Sequence, residues 1–162
     1  MKKLYLLRGC PGCGKSSLVR KYGLERYTES TDAIRLEIAG TEVVNGMNMI
    51  SQSKNADVFR ILHDRLEMRM QSGEPVIVDA TNISQLGWYY KKALEYGYQV
   101  VIVDFKVSLE VLKQRNIGRG IHYVPEEVIE RMYNRKKVSQ ILNPNVRVIA
   151  PSDFLSDWRS NK

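Results

Sequence analysis

Cysteine is nearly missing from this chain: Cys10 and Cys13 are the only two among 162 residues. So small a complement excludes a disulfide framework, and with no second Cys/His pair it does not complete a tetrahedral zinc site. The C-x-x-C spacing also fits a redox pair, but both thiols lie inside a glycine loop and read best as loop filler. Long apolar runs are missing too. No stretch approaches the ~18 apolar residues that mark a bilayer-spanning helix. "MKKLYLLRGC" carries only a short apolar run before Arg8 and no cleavage site, so a cytoplasmic protein without a membrane partner is expected. Linker-like segments, low-complexity tracts and internal repeats are absent. The composition, 43% hydrophobic and 27% charged, lacks the polar bias that keeps a chain disordered. One domain spanning residues 1–162 is expected at this length.

What the chain has in excess is positive charge. Lys plus Arg number 25 against 18 Asp plus Glu, a formal net charge of +7, which favours polyanionic partners through electrostatic steering.

Strand and helix patterns alternate along the chain. "KKLYLLR" is a buried strand ending in glycines, and "KSSLVRKYG" is a helix closed by Gly23. "ERYTEST" is a short strand, "DAIRLEIAG" a helix stopped at Gly40, and "TEVVNGMNMISQ" irregular with a turn at Asn45-Gly46. Val58, Ile61, Leu62, Leu66 and Met70 recur at helical steps between Lys54 and Gln71. "PVIVDAT" is a buried strand; Ser84 is the expected cap of a helix carrying Leu86, Tyr90, Ala93 and Leu94; "YQVVIVDFK" is another buried strand. "SLEVLKQRN" is helical, "IGRGIHY" is not, and Pro125 opens a helix through Val128, Ile129, Met132 and Tyr133. "NVRVIAP" supplies a last strand and "SDFLSDW" a capped terminal turn. This order predicts an α/β fold: an open parallel sheet with helices on both faces. Ligands bind such sheets beyond the carboxyl ends of the strands, so Gly9–Ser16, Asp32, Asp79–Asn82 and the region after Lys106 should share one rim.

"GCPGCGKS", Gly9 to Ser16, fits G-x-x-x-x-G-K-[ST] without a mismatch and sits between strand and helix as that motif requires. Its glycines let successive N–H groups turn around phosphate oxygens while the helix presents its positive end. The nucleotide-binding set is therefore Gly9, Cys10, Pro11, Gly12, Cys13, Gly14, Lys15, Ser16 and Ser17. Lys15 would reach the β- and γ-phosphates of ATP or another nucleoside triphosphate, and the Ser16 hydroxyl would bind Mg²⁺.

Asp32 begins a helix beside the loop. Two readings stand there: a proton acceptor for an attacking hydroxyl, or one of the caps in "STDAIR" with Ser30 and Thr31. Arg35 follows at i+3 on the same helix face, suited to an acceptor phosphate. Asp79 ends its strand where an acid can hold the Mg²⁺ water shell with Ser16. Thr81 and Asn82 could hydrogen-bond substrate, or Asn82 could merely turn the chain. Asp104 reads as a strand-end residue. "KQRNIGRG" places Lys113, Arg115 and Arg119 near Gly118 and Gly120, either a solvated basic helix end or a lid over a transferring phosphoryl group. Tyr123 and Val124 offer a wall to a terminal base, or a core tyrosine.

Together "GCPGCGKS", the D-x-x-R of "DAIR", "DATN" and "QRNIGRGIHYVPEEVIERMY" resemble the kinase domain of bacteriophage-type polynucleotide 5′-kinases over essentially the whole chain. The resemblance implies a P-loop kinase fold with an arginine-containing lid. It also implies transfer of the γ-phosphate of ATP, or another nucleoside triphosphate, to the 5′-hydroxyl of RNA or DNA in nucleic-acid end repair. Lys15, Asp32 and Arg119 become the catalytic set, with Asp32 the general base and Arg119 the lid arginine on the donor phosphates; Arg115 matches a second lid arginine. Arg35 becomes the ligand of the acceptor's terminal phosphate, and Thr81 and Asn82 fall in an acceptor-side segment. Family enzymes usually carry a further end-healing domain, often a 3′-phosphatase. Its absence from this sequence implies that a phosphatase or ligase is supplied separately, or that the chain is one domain of a longer protein. A small-metabolite kinase and a nucleotide-dependent binding module are the rival expectations.

Overall fold

The computed structural model describes residues 1–161. Five strands, β1 (Lys2–Arg8), β2 (Thr28–Ser30), β5 (Val76–Asp79), β6 (Tyr98–Asp104) and β7 (Arg147–Ile149), form a sheet in the order β2-β5-β1-β6-β7. Every pairing in it is parallel. The helices are α1 (Lys15–Lys21), α2 (Thr31–Ile38), α3 (Asn55–Ser72), α4 (Gly87–Tyr96), α5 (Leu109–Ile117), α6 (Glu126–Val138) and α7 (Phe154–Arg159). The expected fold class is the observed one.

Side-chain alternation in the central strands explains why both faces are covered. Leu4 and Leu6 of β1 point with Val76, Val78, Val100 and Ile102 into one core, filled by α2, α3 and α4 through Ile34, Leu62, Leu66, Tyr89 and Ala93. Tyr5 and Leu7 point with Ile77, Val101 and Val103 into the other, filled by Leu18 of α1, Leu112 of α5, Ile129 of α6 and Phe154 of α7. A strand apolar on both pleat faces has to be sandwiched in this way. Helix α3 buries Val58, Leu62, Leu66 and Met70, the periodic positions of the sequence, with Ile61 packed at the edge.

Several expectations are corrected. "TEVVNGMNMISQ" is an antiparallel hairpin, β3 (Thr41–Val44) and β4 (Met47–Ile50), turning at Asn45-Gly46. Both of its central residues have positive φ, 50° and 78°, the geometry of a tight two-residue hairpin turn. The hairpin stands outside the sheet with Val43 72% exposed, so no buried alternating face marks it in the sequence. Ser84 does not cap α4, whose Ncap residue is Leu86 and which has no side-chain cap; Leu94, expected on its buried face, is 84% exposed. The last helix, α7, likewise lacks the cap expected for it: its first turn follows a 3₁₀ turn at Pro151–Asp153 and Asp153 makes no capping bond. Among the described residues no helix is long and apolar enough to cross a membrane.

Leu66→Ala should lower the unfolding free energy by about 2–5 kcal/mol, the cost of a buried leucine with its residual cavity. Val43→Ala on the exposed hairpin should stay within ~0.5 kcal/mol. Urea titration of both variants measures the contrast.

Candidate active site

Of the sequence-predicted positions, Pro11–Ser17, Asp32, Arg35, Asp79, Thr81, Arg115, Arg119, Tyr123 and Val124 line one cleft, whereas Lys113 pairs with Glu126 of α6. The loop leaves β1 and is pinned at its start, where the Gly9 N–H donates to the carbonyl of Thr81 at 3.0 Å. A Cβ at position 9 would stand 2.5 Å from Cys13 Sγ and 3.0 Å from Phe105 Cβ, so any side chain there would have to displace them. Gly12 and Gly14 hold left-handed φ values of +84° and +108°, the conformation that turns successive N–H groups inward. Helix α1 begins at Lys15 with no side-chain cap, which leaves the N–H groups of its first turn to face an anion. Lys15 is buried within the loop, its Nζ donating to the carbonyls of Gly9 at 2.8 Å and Cys10 at 3.1 Å. Cys10 and Cys13 are buried free thiols, and burial pushes the Cys10 thiol above its ordinary pKa. Both properties suit loop filler rather than a reactive pair.

Ser16 Oγ donates to Asp79 Oδ2 at 2.5 Å. Burial pushes the Asp79 carboxyl above its ordinary range, against the opposing pull of the Ser16 hydroxyl and the Lys15 charge. A hydroxyl and a buried carboxylate side by side are the hard oxygen donors that Mg²⁺ selects, so these two residues fit that ion.

Ser30 resolves the ambiguity at the start of α2. Its Oγ accepts from the Ala33 N–H at 3.3 Å and is the cap, leaving the Asp32 carboxylate free to face the cleft. Asp32 Oδ1 takes Arg35 Nη1 at 3.3 Å, and Arg35 Nη2 is anchored on Asn55 Oδ1 at 2.6 Å. Asp32 Oδ2 lies 3.4 Å from His122 Nδ1. Across the cleft Arg115 Nη1 donates to the Gly12 carbonyl at 3.2 Å, and the Arg119 side chain passes within 3.7 Å of where a Gly12 Cβ would be. Arg119 is partly buried, and its Nη1 has no hydrogen-bond partner among the described residues. Burial pulls its pKa below the ordinary arginine value, opposed by the charges of Asp32 and Asp79. Tyr123 and Val124 line the same cleft, as does Thr81, and Val124 also packs on the core.

Asn82 is corrected. It is buried, and its Nδ2 donates to the carbonyls of Leu7, Val78 and Ala80 at 2.8–3.2 Å. With φ at 49° it turns the chain and ties the ends of β1 and β5 together, so its amide nitrogen is committed to the fold. Sequence reasoning missed Asn55, Asn116 and His122. Asn116 donates through Nδ2 to the Val124 carbonyl at 2.7 Å and accepts from the Val124 N–H at 3.1 Å, clamping the base of the arginine-bearing segment. Its one local signal is a polar residue on the buried side of α5; nothing local marks the other two.

Residues 4–138 match the family described as an AAA domain. The 2′,3′-cyclic-nucleotide 3′-phosphodiesterase of Mus musculus is 30% identical over 122 residues, 71% of this chain and 27% of that protein. Its counterpart in Rattus norvegicus is 28% identical over 121 residues. The chain thus spans about a quarter (27%) of the length of these curated relatives. A chain of the Pnkp1/Rnl/Hen1 RNA repair complex superposes with a TM-score of 0.69 at 22% identity, covering 85% of this chain and 45% of that one. A sugar kinase from Janibacter sp. HTCC2649 superposes with a TM-score of 0.60 at 14% identity, covering 99% and 94%. At such identities the likeness is one of fold, and the fold is that of the P-loop kinases.

The raised Asp79 pKa means that ionising this buried carboxyl costs stability. The cost is absent below the ordinary carboxylate value and grows as pH rises through the folded pKa. Asp79→Asn should therefore raise the melting temperature of the nucleotide-free protein, more at pH 8 than at pH 4, while removing the extra stabilisation by ATP that depends on Mg²⁺. Thermal melts at both pH values, with and without Mg²⁺ and ATP, check the sign.

Proposed function

The chain belongs to the AAA domain family, and from that premise we propose that it is a polynucleotide 5′-hydroxyl kinase of the bacteriophage type, formed by one P-loop kinase domain. One observation carries this reading: the phosphate loop and the Asp32–Arg35 pair face each other across a single cleft of about 1860 Å³. Small-molecule sites occupy about 300–1,000 Å³, so this cleft has room for a nucleotide donor and a polymeric acceptor together. The net charge of +7 favours a polyanion, and the fold likeness to a chain of an RNA repair complex supports the same class of acceptor.

In the proposed reaction the donor, ATP or another nucleoside triphosphate, lies in the loop with its β- and γ-phosphates against Lys15 and the first turn of α1. Ser16, and Asp79 through water, would hold Mg²⁺, which would supply neutralisation of the donor's phosphate charge. The acceptor enters opposite, its terminal phosphate on Arg35 and its last base against Tyr123 and Val124. Asp32 orients the 5′-hydroxyl and takes its proton as the hydroxyl oxygen bonds to the γ-phosphorus. The bond from that phosphorus to the β–γ bridging oxygen breaks, and the nucleoside diphosphate leaves. Lys15 and Arg119 stabilise the charge spread over the transferring group. Arg115 and Arg119 act from a lid clamped by Asn116, and holding both substrates in line supplies most of the acceleration.

Incubation with γ-labelled ATP, Mg²⁺ and a 5′-hydroxyl oligonucleotide should label it, whereas the same oligonucleotide bearing a 5′-phosphate stays unlabelled. With two or three phosphate contacts to a single strand, the acceptor KM should rise roughly tenfold between 50 and 200 mM salt. Label in neither oligonucleotide overturns the proposal, and label in gluconate or another sugar supplied instead favours the small-metabolite alternative, which the fold likeness to a sugar kinase supports.

A further inference from the structure

We propose that His122 is a positioning residue that fixes the carboxylate plane of Asp32 and ties it to the docking of the arginine-bearing segment; this rests on the reading of Asp32 as the base. The two oxygens of Asp32 are divided between two donors from different parts of the chain. Oδ1 is held by Arg35 Nη1 at 3.3 Å, and Oδ2 faces His122 Nδ1 at 3.4 Å. The first anchor is itself fixed, because Arg35 Nη2 rests on Asn55. A carboxylate gripped at one oxygen still rotates about its Cβ–Cγ bond; a second donor on the other oxygen stops that rotation and leaves the remaining lone pairs toward the cleft.

His122 closes a 3₁₀ turn, Gly120–His122, that begins from Arg119, and its N–H donates to the Arg119 carbonyl at 3.1 Å. One short turn thus carries a guanidinium on the donor side and an imidazole on the acceptor side. Strand β4 of the exposed hairpin packs against this turn, and Asn116 clamps Val124 behind it. Core packing does not account for the placement of the ring, since the His122 and Asp32 side chains are 44% and 42% exposed. The placement of this one turn therefore sets both the approach of Arg119 to the phosphate loop and the contact of His122 with Asp32.

Two measurements test this. In ¹⁵N-labelled protein the neutral ring of His122, assigned by the loss of its signals in His122→Asn, should be the Nδ1–H tautomer, because the hydrogen bond selects which nitrogen keeps the proton. Asp32→Ala should abolish that preference. Kinetically, His122→Phe keeps volume without a donor and should lower kcat about tenfold with the KM for ATP within about twofold, a loss of the size that misplacement by a fraction of an ångström produces. His122→Asn, whose amide nitrogen sits where Nδ1 does, should restore most of the rate. A neutral ring in the Nε2–H form, or an unchanged kcat in His122→Phe, overturns the proposal. Failure of the wild-type protein to label a 5′-hydroxyl oligonucleotide overturns the polynucleotide reading instead; the tautomer measurement needs no substrate and still decides whether His122 holds Asp32.

Discussion

The site depends on one row of the parallel sheet. Asp79, the last residue of β5, stands opposite Leu7 of β1 on one side and Ser30 of β2 on the other, while Leu7 also stands opposite Val103 of β6. Because these strands end together, the phosphate loop, Asp79 and the helix carrying Asp32 all emerge at the same level. Ser30 then caps α2 and turns it so that Asp32 and Arg35 face back across the cleft. A slip of one residue in either register would swap the two faces of the strand and separate Asp79 from Ser16. The buried Asn82 amide, bonded to carbonyls of both β1 and β5, pins that row from below.

Electrostatics follows from the same placement. Asp79 and Arg119 are both pushed by burial toward their neutral forms, one upward and one downward, and neither is hydrogen-bonded to the other. Buried charges left without a matched partner cost free energy, and concentrations of such groups in a cleft mark sites built for a charged guest. In the proposed reaction a nucleotide phosphate carrying a divalent cation would present both signs at once, the cation to Asp79 and Ser16 and the phosphate oxygens to Arg119, Lys15 and the start of α1. The structural ion pairs behave differently. Asp157, for example, is saturated by Tyr5, Lys3 and Arg147, and it locks the last helix under the sheet.

The parts legible in the sequence are those written in local pattern. The run from β1 through the glycine loop to α1, the apolar periodicity of α3 and the buried strands β5 and β6 each carry their own signal, and the two-sided fold follows from strands with no polar face. The hairpin of β3 and β4 was not legible as strand: it is exposed, so its turn signal had no alternating apolar flanks to confirm it. In "STDAIR" the sequence offers Ser30, Thr31 and Asp32 as caps, and only the turn geometry selects Ser30. Asn82 carries the same side chain whether it meets a substrate or three carbonyls. Asn55 and His122 meet Arg35 and Asp32 across 20 and 90 positions of chain, a proximity that no local pattern encodes.

Donor and acceptor halves that meet in one cleft should also be separable. ATP binding and phosphoryl transfer to a 5′-hydroxyl oligonucleotide, measured side by side in Asp32→Asn, test that most directly. ATP affinity should stay within about threefold of wild type while transfer falls about 10²–10⁴-fold, the contribution of a positioned general base. Transfer undiminished, or ATP binding lost along with it, would contradict a site in which Asp32 serves the acceptor.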